Sequence, residues 1–353
     1  MIDDRTGWTA SAETGTSSEK REPVDDKISR NVMLGGPAEK TSTIQQEASF
    51  GLSCPVEHAL QNPNVCIALL NWNGWQDTVG CLASLQKLDY KECCIVVIDN
   101  GSTDDSVLRI RERFSKIEII QLQQNLGFAG GCNVGIRHAF ALDVQYVWLL
   151  NNDTKVSPGA LRDMVKTAET DPRIGAVGSV IYSMSGPPHG IQAWGGGRVN
   201  LWFGRSSHCT KEIPRDKLDY LTGASMLLRR EALEDIGLLD EEFFMYWEDA
   251  DLCFRLKRAG WKLAVARESQ IWHKQSASLG RTSAAFDLHV WNSMVRFCDR
   301  HSPLSLVPAT IGTMRMISRR VLCMEWVRAM RLCQAVVGPK HGKASAKRVS
   351  HRD

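Results

Sequence analysis

Apolar residues along this chain gather into short unbroken runs, and each run stops at a cluster of Asn, Asp, Gly or Ser. The first, within VCIALLNWNG, predicts a buried strand from Val65 that ends at Asn71, Trp72, Asn73 and Gly74. Val79, Leu82, Ala83 and Leu85 then recur at helical spacing and predict a helix from Thr78 to Leu88. A second run, Cys93 to Ile98, breaks at Asp99, Asn100, Gly101, Ser102, Thr103 and Asp104. Strand, helix and strand at this spacing make a βαβ unit and hence a parallel sheet. The pattern repeats with a strand from Ile117 to Leu122, a glycine-rich turn from Asn125 to Cys132 and a helix from Asn133 to Ala141. A further run, Tyr146 to Leu150, halts at Asn151, Asn152, Asp153 and Thr154.

In a parallel sheet these polar stops share one edge and line a nucleotide-sized crevice. Ligands of open α/β sheets bind beyond the carboxyl ends of the strands, where Asp153 can hold a cation against a phosphate. Asn-Asn-Asp is also ordinary turn chemistry, and the tripeptide alone does not choose between the two.

Beyond Pro158 the pattern predicts a helix to about Thr170 and then a strand in GAVGSVIYS. Gly186 to Lys217 shows little period and is expected to be a long loop or short hairpin, with Trp194, Trp202 and Phe203 either stacking on a sugar or capping the sheet. YLTGASMLLRR predicts a strand running into a helix. In FFMYWEDADLCFRLKRAGW, Leu252, Leu256 and Ala259 keep helical spacing and Gly260 is a natural stop, so Glu248, Asp249 and Asp251 fall at a helix start. Acids there suit the helix dipole. Directly before them Phe243, Phe244, Tyr246 and Trp247 form an apolar wall, beside which a carboxylate can act as a general base on a hydroxyl. His273 ends the next strand, either as a satisfied histidine or as a ligand for a divalent ion.

After a helix from Phe286 to Arg300, Val321, Leu322, Val327, Ala329, Leu332 and Val336 predict one apolar helix face opposite Arg320, Arg328 and Arg331. The basic tail Lys340, Lys343, Lys347 and Arg348 follows. Such a helix suits a membrane surface or packing on the core with a solvated tail, and both readings stay open.

Composition narrows the class. The chain has 353 residues, 43% of them hydrophobic, and a formal charge of +3, too small to argue for nucleic acid. Residues 1–60 are polar without period and are expected to be a disordered leader. The 11 cysteines lack any C-x-x-C pair, so reduced thiols, a cytoplasmic setting and no structural metal are expected. No secretory signal and no membrane-spanning run is visible. G-x-G-x-x-G, a complete P-loop and G-x-S-x-G are all missing, which weighs against a dehydrogenase, a P-loop kinase and an α/β-hydrolase.

Taken in order, LLNWNG, VVIDNGSTDDS, NLGFAGGCNVGI, WLLNNDT, DYLTGASMLLRR, FFMYWEDADLCFRLKRAGW and WHKQS resemble the family 2 glycosyltransferases, nearest the branch of rhamnosyltransferases and galactofuranosyltransferases. The resemblance implies a GT-A fold over residues 61–280, a mostly parallel sheet flanked by helices, with a helical extension over 281–353. It places Asn71, Asn73, Asp99, Asn100, Asn125, Gly127, Asn133 and Asn152 around the nucleotide sugar. Asp153 and His273 would hold Mg²⁺ or Mn²⁺, with Asn151 standing where the common D-x-D motif has its first acid. Asp249 would be the catalytic base, supported by Glu248 and Asp251. The implied reaction is inverting transfer from a nucleotide-diphosphate sugar, foremost dTDP-rhamnose, to a glycan or lipid-linked acceptor, with peripheral contact at the cytoplasmic membrane face. Two rivals are a sugar nucleotidyltransferase, whose arginine-bearing glycine loop is missing after the first strand, and a catalytically silent sugar-binding protein.

Overall fold

A computed structural model describes residues 63–184, 190–274 and 284–337; the expected leader and the lysines of the basic tail lie outside them. The chain begins with β1 (Val65–Asn71), α1 (Trp75–Leu85), β2 (Cys93–Asp99), α2 (Ser106–Arg113) and β3 (Glu118–Gln121). It continues through α3 (Gly127–Ala141), β4 (Tyr146–Asn151), β5 (Thr154–Val156), α4 (Ala160–Ala168) and β6 (Ile174–Ser183). Next come β7 (Ile191–Trp194), β8 (Gly196–Asn200), β9 (Arg205–His208), β10 (Tyr220–Leu221), β11 (Ser225–Arg229) and α5 (Arg230–Ile236). The described chain closes with α6 (Glu248–Arg258), β12 (Lys262–His273), α7 (Ala284–His301), α8 (Leu306–Leu322) and α9 (Trp326–Val337).

The main sheet runs β3-β2-β1-β4-β11-β6-β12-β5, with β7 paired to β6. β3, β2, β1 and β4 are parallel, so their carboxyl ends meet on one edge as expected. β11 enters antiparallel between β4 and β6 and brings the Thr222–Ala224 turn to that same edge. Both faces are covered, which is why β1 is an unbroken apolar run. One core layer joins the sheet to α3, α5, α6 and α7, and the other joins it to α1, α2 and α4. Cys66, Cys94 and Cys253 are buried and pack as small hydrophobes.

Two expectations change, and a third resolves between its alternatives. The glycine-rich stretch is not a turn leading to Asn133, because α3 already starts at Gly127. Its glycines bring the helix close to the sheet, since a Cβ at Gly131 would collide with the Leu70 side chain. Of the loop and hairpin expected for Gly186 to Lys217, the described residues contain the hairpin, β8 pairing antiparallel with β9, and β10 joins β8 in a small second sheet. Trp202 and Phe203, 62% and 52% exposed, sit in the turn between β8 and β9 and outside the main cleft. The single amphipathic helix is in fact α8 and α9, broken at Met324 with φ 56°. Arg320 and Arg328 are not its solvent face: both turn inward onto the buried Asp287. Leu322, Trp326, Val327, Met330 and Val337 are exposed instead.

Candidate active site

The strand ends are tied together by side-chain hydrogen bonds. Asn152 Nδ2 donates to Thr78 Oγ1 at 2.9 Å, Thr78 donates to Asn71 Oδ1 at 2.7 Å, and Asn71 Nδ2 donates to Asp99 Oδ1 at 2.8 Å. Ser102 donates its hydroxyl to the same Asp99 oxygen at 2.6 Å. The ends of β4, β1 and β2 are thereby fixed relative to one another. Asn100 continues the rim, donating to Asn125 Oδ1 at 3.0 Å and the Gly127 carbonyl at 2.9 Å while accepting from the Leu126 N–H at 3.0 Å. This clamp sets where α3 begins, and Gly127, with φ +78°, takes a backbone conformation that glycine tolerates best.

Above the rim lies a cleft of about 580 Å³, within the range of small-molecule sites. Asn100, Asn125, Gly127, Asn152, Asp153, Glu248, Asp249 and His273 all line it. Asn71, Asp99 and Asn73 do not: the first two are buried in the bonds just given, and Asn73 Oδ1 accepts from the Thr103 N–H at 2.8 Å. Asn133 is also away from the cleft, accepting from the Leu239 N–H at 3.1 Å and donating to its carbonyl at 2.8 Å. It anchors the loop that leads into α6.

Asp153 follows β4, and His273 ends β12, which pairs with β5 at Thr154. Asp153 Oδ1 and His273 Nε2 stand 3.1 Å apart with side chains 10% and 9% exposed, and the Asn151 amide is 3.4 Å from the same nitrogen. Gln192 of β7, which the sequence did not single out, contacts His273 Nδ1 at 3.1 Å. Its Oε1 has no partner among the described residues. With that amide turned so that Oε1 accepts from Nδ1–H, His273 presents the Nε2 lone pair to Asp153. Two acceptors at that distance suit a shared cation, and one carboxylate plus one imidazole leaves the other positions of Mg²⁺ or Mn²⁺ to phosphate and water. The donor set therefore fits a divalent metal.

The opposite chemistry sits at the start of α6. Tyr246 and Trp247 both have left-handed backbone, φ 69° and 70°. Such conformations cost on the order of 1–3 kcal/mol each and persist only where packing holds them. That packing is α7, with Tyr246 against Phe286 at 5.1 Å and Trp247 against Phe297 at 4.8 Å between ring centroids. The turn aims Glu248 and Asp249 into the cleft. Asp249 Oδ2 accepts from the Gly223 N–H at 3.1 Å and Oδ1 from its neighbour Ala250 at 2.8 Å. Burial raises the Asp249 pKa, while these N–H groups oppose the rise. Burial, and then the Asp249 charge, push Glu248 well above the usual carboxylate range, and its Oε2 has no hydrogen-bond partner among the described residues. Both acids are thus harder to ionise than usual, Glu248 the more so.

Asp251 is not part of this face. Fully buried, it bonds Arg255 at 2.8 Å and His301 at 2.8 Å, locking α6 to α7. Burial works against its charge, but His301 and Arg255 bring its carboxyl below the usual range. Its role is to position the helix that carries Asp249.

Residues 65–237 match the model of Glycosyl transferase family 2. Fold, cleft and this match support a family 2 glycosyltransferase similar to the rhamnosyltransferase-like branch. Among relatives it is 28% identical over 247 residues to the N-acetylglucosaminyl-diphospho-decaprenol L-rhamnosyltransferase of Mycobacterium tuberculosis, covering 63% of this chain and 80% of that protein. It is 23% identical over 245 residues to the low-salt glycan biosynthesis hexosyltransferase of Haloferax volcanii, covering 67% and 76%. Solved structures establish the GT-A fold. A mannosyltransferase from Pyrobaculum calidifontis in complex with GDP-Man and Mn²⁺ aligns with TM-score 0.51 at 17% identity, over 79% of this chain and 76% of that one. GalNAc-T7 with UDP, GalNAc and Mn²⁺ aligns at 0.53 and 15%, over 70% and 53%. No helix among the described residues is long and apolar enough to cross a membrane.

Proposed function

We propose that this chain transfers a sugar, with inversion, from a nucleotide-diphosphate donor to a hydroxyl of a glycan or lipid-linked acceptor. The observation that carries this reading is the sharing of one cleft by the Asp153–His273 pair and the Asp249–Glu248 pair. The first is a cation-binding set and the second a base set. Asp249, held ionised by two backbone N–H groups, takes the proton of the acceptor hydroxyl as its oxygen bonds the anomeric carbon. The bond from that carbon to the diphosphate breaks in the same displacement, and the nucleoside diphosphate leaves with the electron pair. Protonated Glu248 donates a hydrogen bond that orients the incoming acceptor. Asn100, Asn125 and Asn152 offer amides to the donor. A divalent ion held by Asp153 and His273 would neutralise the leaving diphosphate.

The rhamnosyltransferase relative makes L-rhamnose, supplied as dTDP-rhamnose, the first donor to test. The exposed apolar residues of α8 and α9 support peripheral contact with a membrane face. Nucleoside diphosphate release from a panel of donors, with and without Mn²⁺ or Mg²⁺, tests the whole reading. Metal-dependent release from one donor is the expected result; no release from any donor, with any metal, overturns it.

A further inference from the structure

A second cleft, of about 330 Å³, opens between Gly204 and the start of β9, α7 and α8. Ser206, Trp247, Phe286, Val290, Arg319 and Arg320 line both cavities, so the two are continuous. Asp153 and His273 line only the larger one. The charged groups facing the smaller cleft are Arg205, Arg315, Arg319, Arg320 and Asp287.

Their pairing is lopsided. Asp287 accepts from Arg320 at 2.6 Å and from Arg328 at 2.7 and 2.8 Å. Glu325 closes the network, accepting from Arg320 at 2.7 Å and Arg328 at 3.0 Å. Two acids thus neutralise two arginines. Arg205, Arg315 and Arg319 have no acidic partner among the described residues. Partial burial, and then the neighbouring Arg205 and Arg319, lower the pKa of Arg315. Three exposed arginines lining one cleft without an acidic partner among the described residues fit an anion with several oxygens, which planar forks of N–H donors recognise well. Asp249 lies two residues beyond the shared Trp247, so an anion here would sit on the base's side of the reaction.

Resting on the transfer reading above, we propose that this cleft binds a phosphate or diphosphate group carried by the acceptor, with Arg205, Arg315 and Arg319 as its donors. It is an acceptor subsite, separate from the place of the donor's own diphosphate. A lipid diphosphate and a phosphorylated sugar offer the same chemistry to these arginines.

The test is calorimetric titration of the full chain in EDTA with farnesyl diphosphate, N-acetylglucosamine 1-phosphate and farnesol, comparing wild type with Arg315→Gln/Arg319→Gln. Arg331→Gln, an exposed change on α9, is the control. Binding of farnesyl diphosphate should weaken about 10–100-fold in the double variant and not in the control. Parity between the two phosphorylated probes assigns the site to phosphate alone, and preference for the farnesyl compound assigns a lipid-linked acceptor. Equal binding of farnesol, or unchanged binding by a double variant that melts like wild type, overturns the subsite. Loss of the subsite is distinguishable from loss of the transfer reading, because release of nucleoside diphosphate to water by wild type needs no acceptor.

Discussion

The two rims of the large cleft are built on opposite principles. The strand-end rim is a chain of amides and a hydroxyl, Asn152 to Thr78 to Asn71, that ends on the Asp99 carboxylate. The α6 rim concentrates carboxylates where burial opposes their charge, on a turn whose two aromatic residues have left-handed backbone. The first is a hydrogen-bonded brace that fixes the strand ends relative to one another. The second is arranged to change protonation, and its energetic cost is met by α7 packing behind it. On the proposed reading, the donor meets the first rim and the acceptor the second.

The sharpest way to break the contrast is Asp249→Asn. It should lower the transfer rate by about 10²–10⁴-fold while leaving donor affinity near normal, as steady-state kinetics and calorimetry would show. Loss of donor affinity with turnover intact would place Asp249 on the wrong rim. Next in size is Asp251→Asn, which leaves His301 and Arg255 facing each other without their acid. Denaturant unfolding should show a loss of ~3–5 kcal/mol. Because its folded pKa is depressed, the stabilisation from Asp251 is present above the ordinary ~3.9 and disappears as pH falls through the lower folded value.

Gln192→Ala tests the strand-end side, with metal affinity expected to fall about 10–100-fold through loss of His273 orientation. Normal Mn²⁺ titration of that variant would remove Gln192 from the site. Gly131→Ala should cost ~1–3 kcal/mol by forcing the Leu70 side chain out of its place beneath α3, measurable as a lowered Tm. The smallest effect is a displacement in the pH profile. With the Asp249 pKa raised, and the charged form the active one, kcat/KM should decline on acidification at a pH above the ordinary ~3.9 of aspartate.

Much of this was legible locally. The runs ending at Asn71, Asp99 and Asn151 predicted β1, β2 and β4 and their common edge, because a strand covered on both faces must be apolar and must stop where it meets solvent or ligand. Glu248 as the first residue of α6 and Gly260 beyond its end followed from helix signals. The start of α3 was missed because glycine punctuates turns more often than it packs helices, and only the neighbouring sheet explains Gly131.

What the sequence determined by itself is therefore the first strands, β1, β2, β3 and β4, their polar stops and the list of acids, since each depends on residues a few positions apart. Which of those groups does chemistry was decided in three dimensions. Asp249 and Asp251 lie two residues apart on one helix, about 200° around its axis, so one meets the cleft and the other meets His301. Gln192 reaches His273 across 81 positions, and Arg320 reaches Asp287 across 33. Periodicity is blind to such pairs, because the free energy of a buried charge or amide depends on partners that only packing supplies.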